Sequence, residues 1–224
     1  PVAVALHAVL RRLPQPGDRV LVIGTGTIGL LTMAALRHYA PDIELAGVAA
    51  LAPASDLVGL ADTADGLYGR RERAAVLAIM KDSRVGAMGL VAVVCVLLAK
   101  TAALGHLDHG RFLTLLIVPA YARAAMIFGM RFVPYARGKA GTGNAFFETP
   151  LVSVDFRYLA VPVLLSLLLG WRGILLNFVF AAVTAALIVL YRKKLGGITG
   201  DMLGAMAEIM ETALFVAACA GGGA

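Results

Sequence analysis

Residues 86 to 104 read GAMGLVAVVCVLLAKTAAL, nineteen residues in which Lys100 is the one charge. A helix crosses the ~30 Å hydrocarbon core of a bilayer in ~20 predominantly apolar residues, so this run is long enough to span it. Phe112 to Met130 and Met202 to Ala218 repeat the pattern. Tyr158 to Tyr191 is longer and is interrupted only by Gly170, Trp171, Arg172 and Gly173. It reads as two helices joined by a tight turn, the first short for a full span. Val20 to Leu36 and Ile43 to Leu60 are weaker candidates, the second carrying Pro53 and Asp56. Together these runs predict an all-α, polytopic helical membrane protein with about six or seven transmembrane segments.

Composition points the same way. Of 224 residues, 60% are hydrophobic and 15% charged, and the mean hydropathy of +0.84 lies outside the range of ordinary soluble domains. The net charge of +6 calls for no nucleic-acid partner, because in a membrane protein Lys and Arg mark the cytoplasmic loops. They concentrate in Ala61 to Val85, Arg131 to Arg157 and Arg192 to Asp201, while Gly105 to Arg111 holds one Arg. The first three segments are therefore expected on the cytoplasmic side, where a soluble substrate reaches them. Cys95 and Cys219 lie far apart in apolar runs and read as packing residues. His106 and His109 read as loop histidines on the opposite side. The chain starts at Pro1, without signal-peptide patterning, as expected of a fragment of a longer protein.

Polar motifs interrupt this apolar background. In Gly59-Leu-Ala-Asp-Thr-Ala-Asp-Gly66, Asp62 and Asp65 are three apart and so share a helix face. Met80-Lys-Asp-Ser-Arg-Val-Gly86 follows and can return Asp82 to the same place. Hard carboxylate oxygens suit magnesium, which takes one or two of them together with substrate phosphates. By spacing alone the motif reads first as a solvated, Gly-capped acidic turn, which is what most such pairs are. Arg123 lies inside the Phe112 to Met130 run, where a charge is costly unless paired or wetted. It is either functional or ion-paired, with Glu208 the expected partner. Asp201, Gly204, Glu208 and Glu211 recur at three- and four-residue steps and form a polar stripe facing the bundle interior. Lys100 reads as a snorkelling residue without a role.

The block Gly59 to Leu67, then Ile79 to Gly86, resembles the signature of the cobalamin synthase family. Pro134-Tyr-Ala-Arg137 with the glycines of Gly138 to Gly143, and Gly197-Ile-Thr-Gly-Asp-Met-Leu-Gly204 with Glu208 and Glu211, match later blocks in the same order, over about Leu57 to Ala218. The resemblance implies a multi-pass inner-membrane, magnesium-dependent transferase with its active site on the cytoplasmic side. It would join adenosylcobinamide-GDP to alpha-ribazole or its phosphate and release GMP. Carried over, it implies Asp62, Asp65 and Asp82 as metal ligands, Lys81 and Arg84 beside them as catalytic residues, and Arg123, Arg137, Asp201, Glu208 and Glu211 as substrate-binding residues. A bilayer is the implied surrounding, and a homo-oligomer is compatible with it. The family usually has Asp where Val58 stands; Asp56, two residues back, points about 200° away on a helix. A catalytically impaired scaffold is therefore the rival reading.

Residues 1 to 49 form an atypical N-terminal segment, ahead of a cobalamin synthase-like membrane domain at 50 to 220. Pro16-Gly-Asp-Arg-Val-Leu-Val-Ile-Gly-Thr-Gly-Thr-Ile-Gly29 resembles the strand and Gly24-x-Gly26-x-x-Gly29 turn of a medium-chain, nicotinamide-dependent alcohol dehydrogenase, with a second strand expected at Ile43 to Val48. The module is truncated, no acidic ribose-binding residue follows Val48, and a working nicotinamide site is not expected. Alternatively, Val20 to Leu36 stands in for a first membrane helix.

Overall fold

The computed structural model describes residues 9–10, 13–23, 35–36, 38–48, 54–69, 72–107, 110–137, 147, 156 and 159–220. The chain divides into two units, Pro1–Ala54 and Ser55–Ala224.

In the first unit, strand β1 (Arg19–Ile23) pairs in parallel with β2 (Glu44–Val48), Arg19 opposite Glu44 and Ile23 opposite Val48. Their β-branched and aliphatic composition suits a strand better than a helix. The strand reading of these stretches holds. The membrane-helix reading of Val20 to Leu36 does not, because its first residues lie in β1. Val9, Ala35 and Leu36, packed with Ile43, form a small apolar cluster. Gly24, Gly26 and Gly29 lie outside the described residues.

The second unit is helical: α1 (Ala54–Leu67), α2 (Arg73–Ile79), α3 (Ala87–Gly105), α4 (Arg111–Phe132), α5 (Ala160–Ser166), α6 (Trp171–Leu195) and α7 (Gly200–Cys219). Ile43 to Leu60 is accordingly no single span, since β2 and the start of α1 share it. Among the described residues four helices, α3, α4, α6 and α7, are long and apolar enough to cross a bilayer, and Ala160–Leu169 is a shorter apolar helix. The protein is thus a polytopic helical membrane protein, with the hairpin at Gly170 made as expected. Gly170 has φ 61°, a left-handed value that a side chain disfavours.

Helix α7 is the axis of the bundle: 67% of its apolar window is buried against the other helices, against 17% for α3. Small residues permit this. A Cβ at Gly204 would lie 2.9 Å from the Asp56 Cα, and one at Gly59 2.5 Å from the Asp201 carbonyl oxygen, so α1 and α7 touch backbone to backbone. On the α4–α5–α6 side a polar cluster holds the helices together. The Tyr121 hydroxyl reaches Asn177 Oδ1 at 2.7 Å and Ser166 Oγ at 3.1 Å, and Asn177 Nδ2 donates to Ser166 Oγ at 2.8 Å.

Several helix ends converge on one face of the bundle. The turn from α6 to α7 begins at Gly196, left-handed at φ 67°, whose N–H closes the last turn of α6 onto the Tyr191 and Arg192 carbonyls. The turn then pairs with the segment after α4: Ile198 N–H donates to the Pro134 carbonyl and Ala136 N–H to the Ile198 carbonyl, both at 2.9 Å. The basic residues of these loops serve as ties. Arg73 Nη2 donates to the Ala136 carbonyl at 3.0 Å, Arg192 Nε to the Phe132 carbonyl at 3.0 Å and Lys194 Nζ to the Gly69 carbonyl at 3.0 Å.

Candidate active site at one end of the membrane bundle

Helix α1 brings its acidic motif to this end. Asp65 reaches across to the start of α3, where its Oδ2 accepts from Gly86 N–H at 2.7 Å and its Oδ1 from Gly89 N–H at 2.8 Å. The first N–H groups of a helix lack intrahelical partners and carry partial positive charge, which a carboxylate satisfies. Glycine is required at both places, because a Cβ at either would strike the Asp65 carboxylate. The spacing of the two motifs therefore encodes a cap supplied by a distant helix.

One turn earlier on the same face, Asp62 makes no hydrogen bond or ion pair among the described residues. Burial raises its pKa, and the nearby negative charge of Asp201 raises it further, partly offset by Arg137. Asp201 sits in the first turn of α7 behind the N-cap Thr199, whose Oγ1 accepts from Met202 N–H at 3.2 Å. Arg137 Nη2 lies 2.8 Å from Asp201 Oδ2 as an ion pair and donates to the Met80 carbonyl at 3.2 Å. The ion-pair geometry falls short of a hydrogen bond, leaving that buried oxygen without a donor among the described residues. Asp62 thus feels both the negative charge of Asp201 and the guanidinium that Asp201 holds.

Asp82 is occupied differently. Arg84 grips its carboxylate through Nη2 at 2.6 Å and Nε at 3.0 and 3.1 Å, and these hydrogen bonds lower its pKa to about 2. Asp82 and Asp65 line one cavity of about 380 Å³, together with Tyr68, Arg84, Gly86 and Met88. Among the described residues no three His, Cys, Asp or Glu side chains are grouped closely enough to enclose a metal. Asp65 and Asp82 therefore share one opening, while Asp62 lies one turn away on the Asp65 face of α1, and the three do not form a closed ligand set. Magnesium asks for less: one or two carboxylates with substrate phosphates completing the shell. The unpartnered Asp62 carboxylate and the donor-less oxygen of Asp201 fit that demand. Lys81 is exposed. Residues 138–143 lie outside the described residues.

The intramembrane charges pair in a way not expected from the sequence. Lys100 is no snorkelling residue: it is 1% exposed, and its Nζ donates to Glu208 Oε2 at 2.6 Å and Glu211 Oε2 at 2.9 Å. Glu208 and Glu211 are accordingly held on α3 inside the bundle, at 0% exposure. Arg123 pairs with Asp56 rather than Glu208, Nη1 to Oδ2 at 2.9 Å. A signal for these pairs was present, since a lone Lys and two Glu in otherwise apolar spans need partners. Asp56 does not replace a carboxylate at 58: it is 9% exposed and turned toward α4 and α7, whereas Val58 is 57% exposed. Val58 stands one turn before Asp62, on the face that Asp65 also shares.

The profile of a family described as cobalamin-5-phosphate synthase matches residues 19–219. An adenosylcobinamide-GDP ribazoletransferase from Desulforamulus reducens is 39% identical over 155 residues, 69% of this chain and 62% of its own length. One from Syntrophobacter fumaroxidans is 39% identical over 176 residues, 76% of this chain and 69% of the relative. The protein of the same name from Chlorobaculum parvum is 38% identical over 214 residues, 88% of this chain and 82% of the relative. No solved structure matches the chain. With the family profile covering most of the chain and its motif residues gathered at one end of a membrane bundle, this chain belongs to the cobalamin-5-phosphate synthase family.

Proposed function

We propose that the chain carries out the reaction for which its relatives are named, transferring the cobinamide phosphate of adenosylcobinamide-GDP to alpha-ribazole and releasing GMP. A ribazole hydroxyl attacks the phosphorus on the cobinamide side of the anhydride, the bond to the GMP phosphate breaks, and the hydroxyl proton passes to a carboxylate at this end of the bundle. The observation that carries the reading is Asp62, half-buried and unpartnered beside Asp201 and Arg137. Magnesium would be held at Asp62, with Asp201 nearby and with Asp65 and Asp82 at the neighbouring cavity, and would supply charge for the phosphoanhydride oxygens. Arg137 presents a guanidinium to the same oxygens, and Lys81 and Arg84 add positive charge at the exposed edge. Such transfers depend chiefly on positioning and on charge stabilisation in the transition state.

The face bearing these residues is cytoplasmic in this reading, because its loops are the basic ones. For the N-terminal unit we propose no nicotinamide chemistry: a dinucleotide site draws on neighbouring strands of a wider sheet, and among the described residues the sheet consists of β1 and β2. The test is magnesium-dependent GMP release by the purified chain in liposomes, with Asp62→Asn as the comparison. Turnover that survives Asp62→Asn at the parent rate overturns the site. A well-folded parent chain without turnover favours the scaffold reading that Val58 raises.

A further inference from the structure

Helix α4 carries a second feature, about halfway along and below the acidic site. Ala120, Ala124, Ile127, Phe128, Phe156 and Leu159 line a cavity of about 210 Å³. Among the described residues Arg123 is its one charged lining residue. Its aromatic residues pack on one another: Phe128 meets Phe156 edge-on with centroids 5.0 Å apart and Phe180 edge-on at 5.9 Å. Arg123 commits Nη1 to Asp56 and to Met126 Sδ, yet its side chain remains 42% exposed. A guanidinium so open within a membrane span is costly unless something polar meets it.

We propose that this cavity binds the base of the acceptor nucleoside, a flat apolar bicyclic heteroaromatic, with the open side of Arg123 toward its ribosyl oxygens; this rests on the transferase reading above. Size and lining select the occupant. The volume holds one bicyclic ring and excludes a corrin macrocycle or a whole nucleotide. A guanine fits by size but brings ring donors and acceptors that alanine, isoleucine, leucine and phenylalanine leave unsatisfied, and burying unmatched polar groups is unfavourable. An apolar benzimidazole-type base brings one ring acceptor where guanine brings several polar groups, so far less is left unmatched, and it offers a face to Phe128 and Phe156. The ion pair of Arg123 with Asp56 ties the cavity to α1, the helix that carries Asp62. The bound nucleoside is thereby directed toward the reacting end.

The experiment narrows the cavity from its mouth. Ala120 is exposed, so Ala120→Leu adds volume without crowding the core. Ala120→Leu is expected to raise KM for alpha-ribazole by about tenfold, the effect of a misplaced methylene group or two in an apolar pocket. KM for adenosylcobinamide-GDP and the elution profile of the protein stay unchanged. Direct binding of alpha-ribazole, followed by the intrinsic fluorescence of its base, weakens in parallel. GMP release with an unchanged alpha-ribazole KM in Ala120→Leu overturns the cavity assignment while leaving the transferase reading intact. Alpha-ribazole binding that Ala120→Leu weakens, in a parent chain that releases no GMP, supports the cavity and overturns the transferase reading. A phospholipid that co-purifies with the parent and is lost from Ala120→Leu, with both KM values unchanged, overturns the proposal in favour of a lipid site.

Discussion

Replacing Lys100 by Met tests the reading of the bundle interior most severely. The side chain is nearly isosteric along its stem, so the change removes a charge without opening a large cavity. The partners are buried completely: Glu208 and Glu211 are at 0% exposure, and each gives one oxygen to the Lys100 ammonium, at 2.6 and 2.9 Å. Their other oxygens, the Oε1 atoms, have no hydrogen-bond partner among the described residues. Lys100→Met therefore strands two carboxylates with nothing to neutralise them. Breaking a buried ion pair by removing one partner costs about 3–5 kcal/mol, and the loss here belongs at the upper end because two acceptors share one donor. On the entropy scale of a chain this size that is a fall in Tm of about 6–20 °C. The assay is thermal loss of the monodisperse fraction in detergent, with circular dichroism alongside. Lys100→Met combined with Glu208→Gln and Glu211→Gln, which removes all three charges, should recover most of the loss. A single variant as stable as the parent would refute the reasoning, because it would mean that the three groups do not meet in a dry interior.

Val58→Asp should lower the magnesium concentration needed for half-maximal GMP release, since position 58 stands one turn from Asp62 on the same face; an unchanged requirement excludes position 58 from the metal's surroundings. Gly89→Ala would place a Cβ against the Asp65 carboxylate and 2.8 Å from the Ala61 carbonyl oxygen. It should cost about 1–3 kcal/mol by overpacking, read as a lower Tm together with reduced turnover. In a variant with Cys95 and Cys219 replaced, cysteines at Ser83 and Lys193 should both resist a membrane-impermeant thiol reagent in sealed cells; labelling of either contradicts the shared cytoplasmic face.

The apolar runs were legible because hydrophobicity over ~20 residues is a property of composition, and a bilayer imposes the length. Spans α3, α4, α6 and α7 and the Gly170 hairpin followed from that alone. The converging motifs were also legible, because alternating spans return every second loop to one face. The N-terminal stretches were harder. An apolar run of four to eight residues looks the same in a buried strand as in a helix, and so Val20 to Leu36 served two readings until β1 and β2 paired.

What the sequence by itself determined is the membrane class, the order of the spans and the face on which Asp62, Asp65, Arg137 and Asp201 gather. Only the tertiary structure decided which charge meets which. Lys100 and the Glu208–Glu211 pair are 108 and 111 positions apart, and Asp56 and Arg123 are 67 apart. Helical periodicity assigns a residue to a face of its own helix but not to a neighbour. That choice was made by packing: glycines at 59 and 204 let α1 and α7 approach to backbone contact, and this approach turns Asp56 toward Arg123 and sets Asp62 beside Asp201.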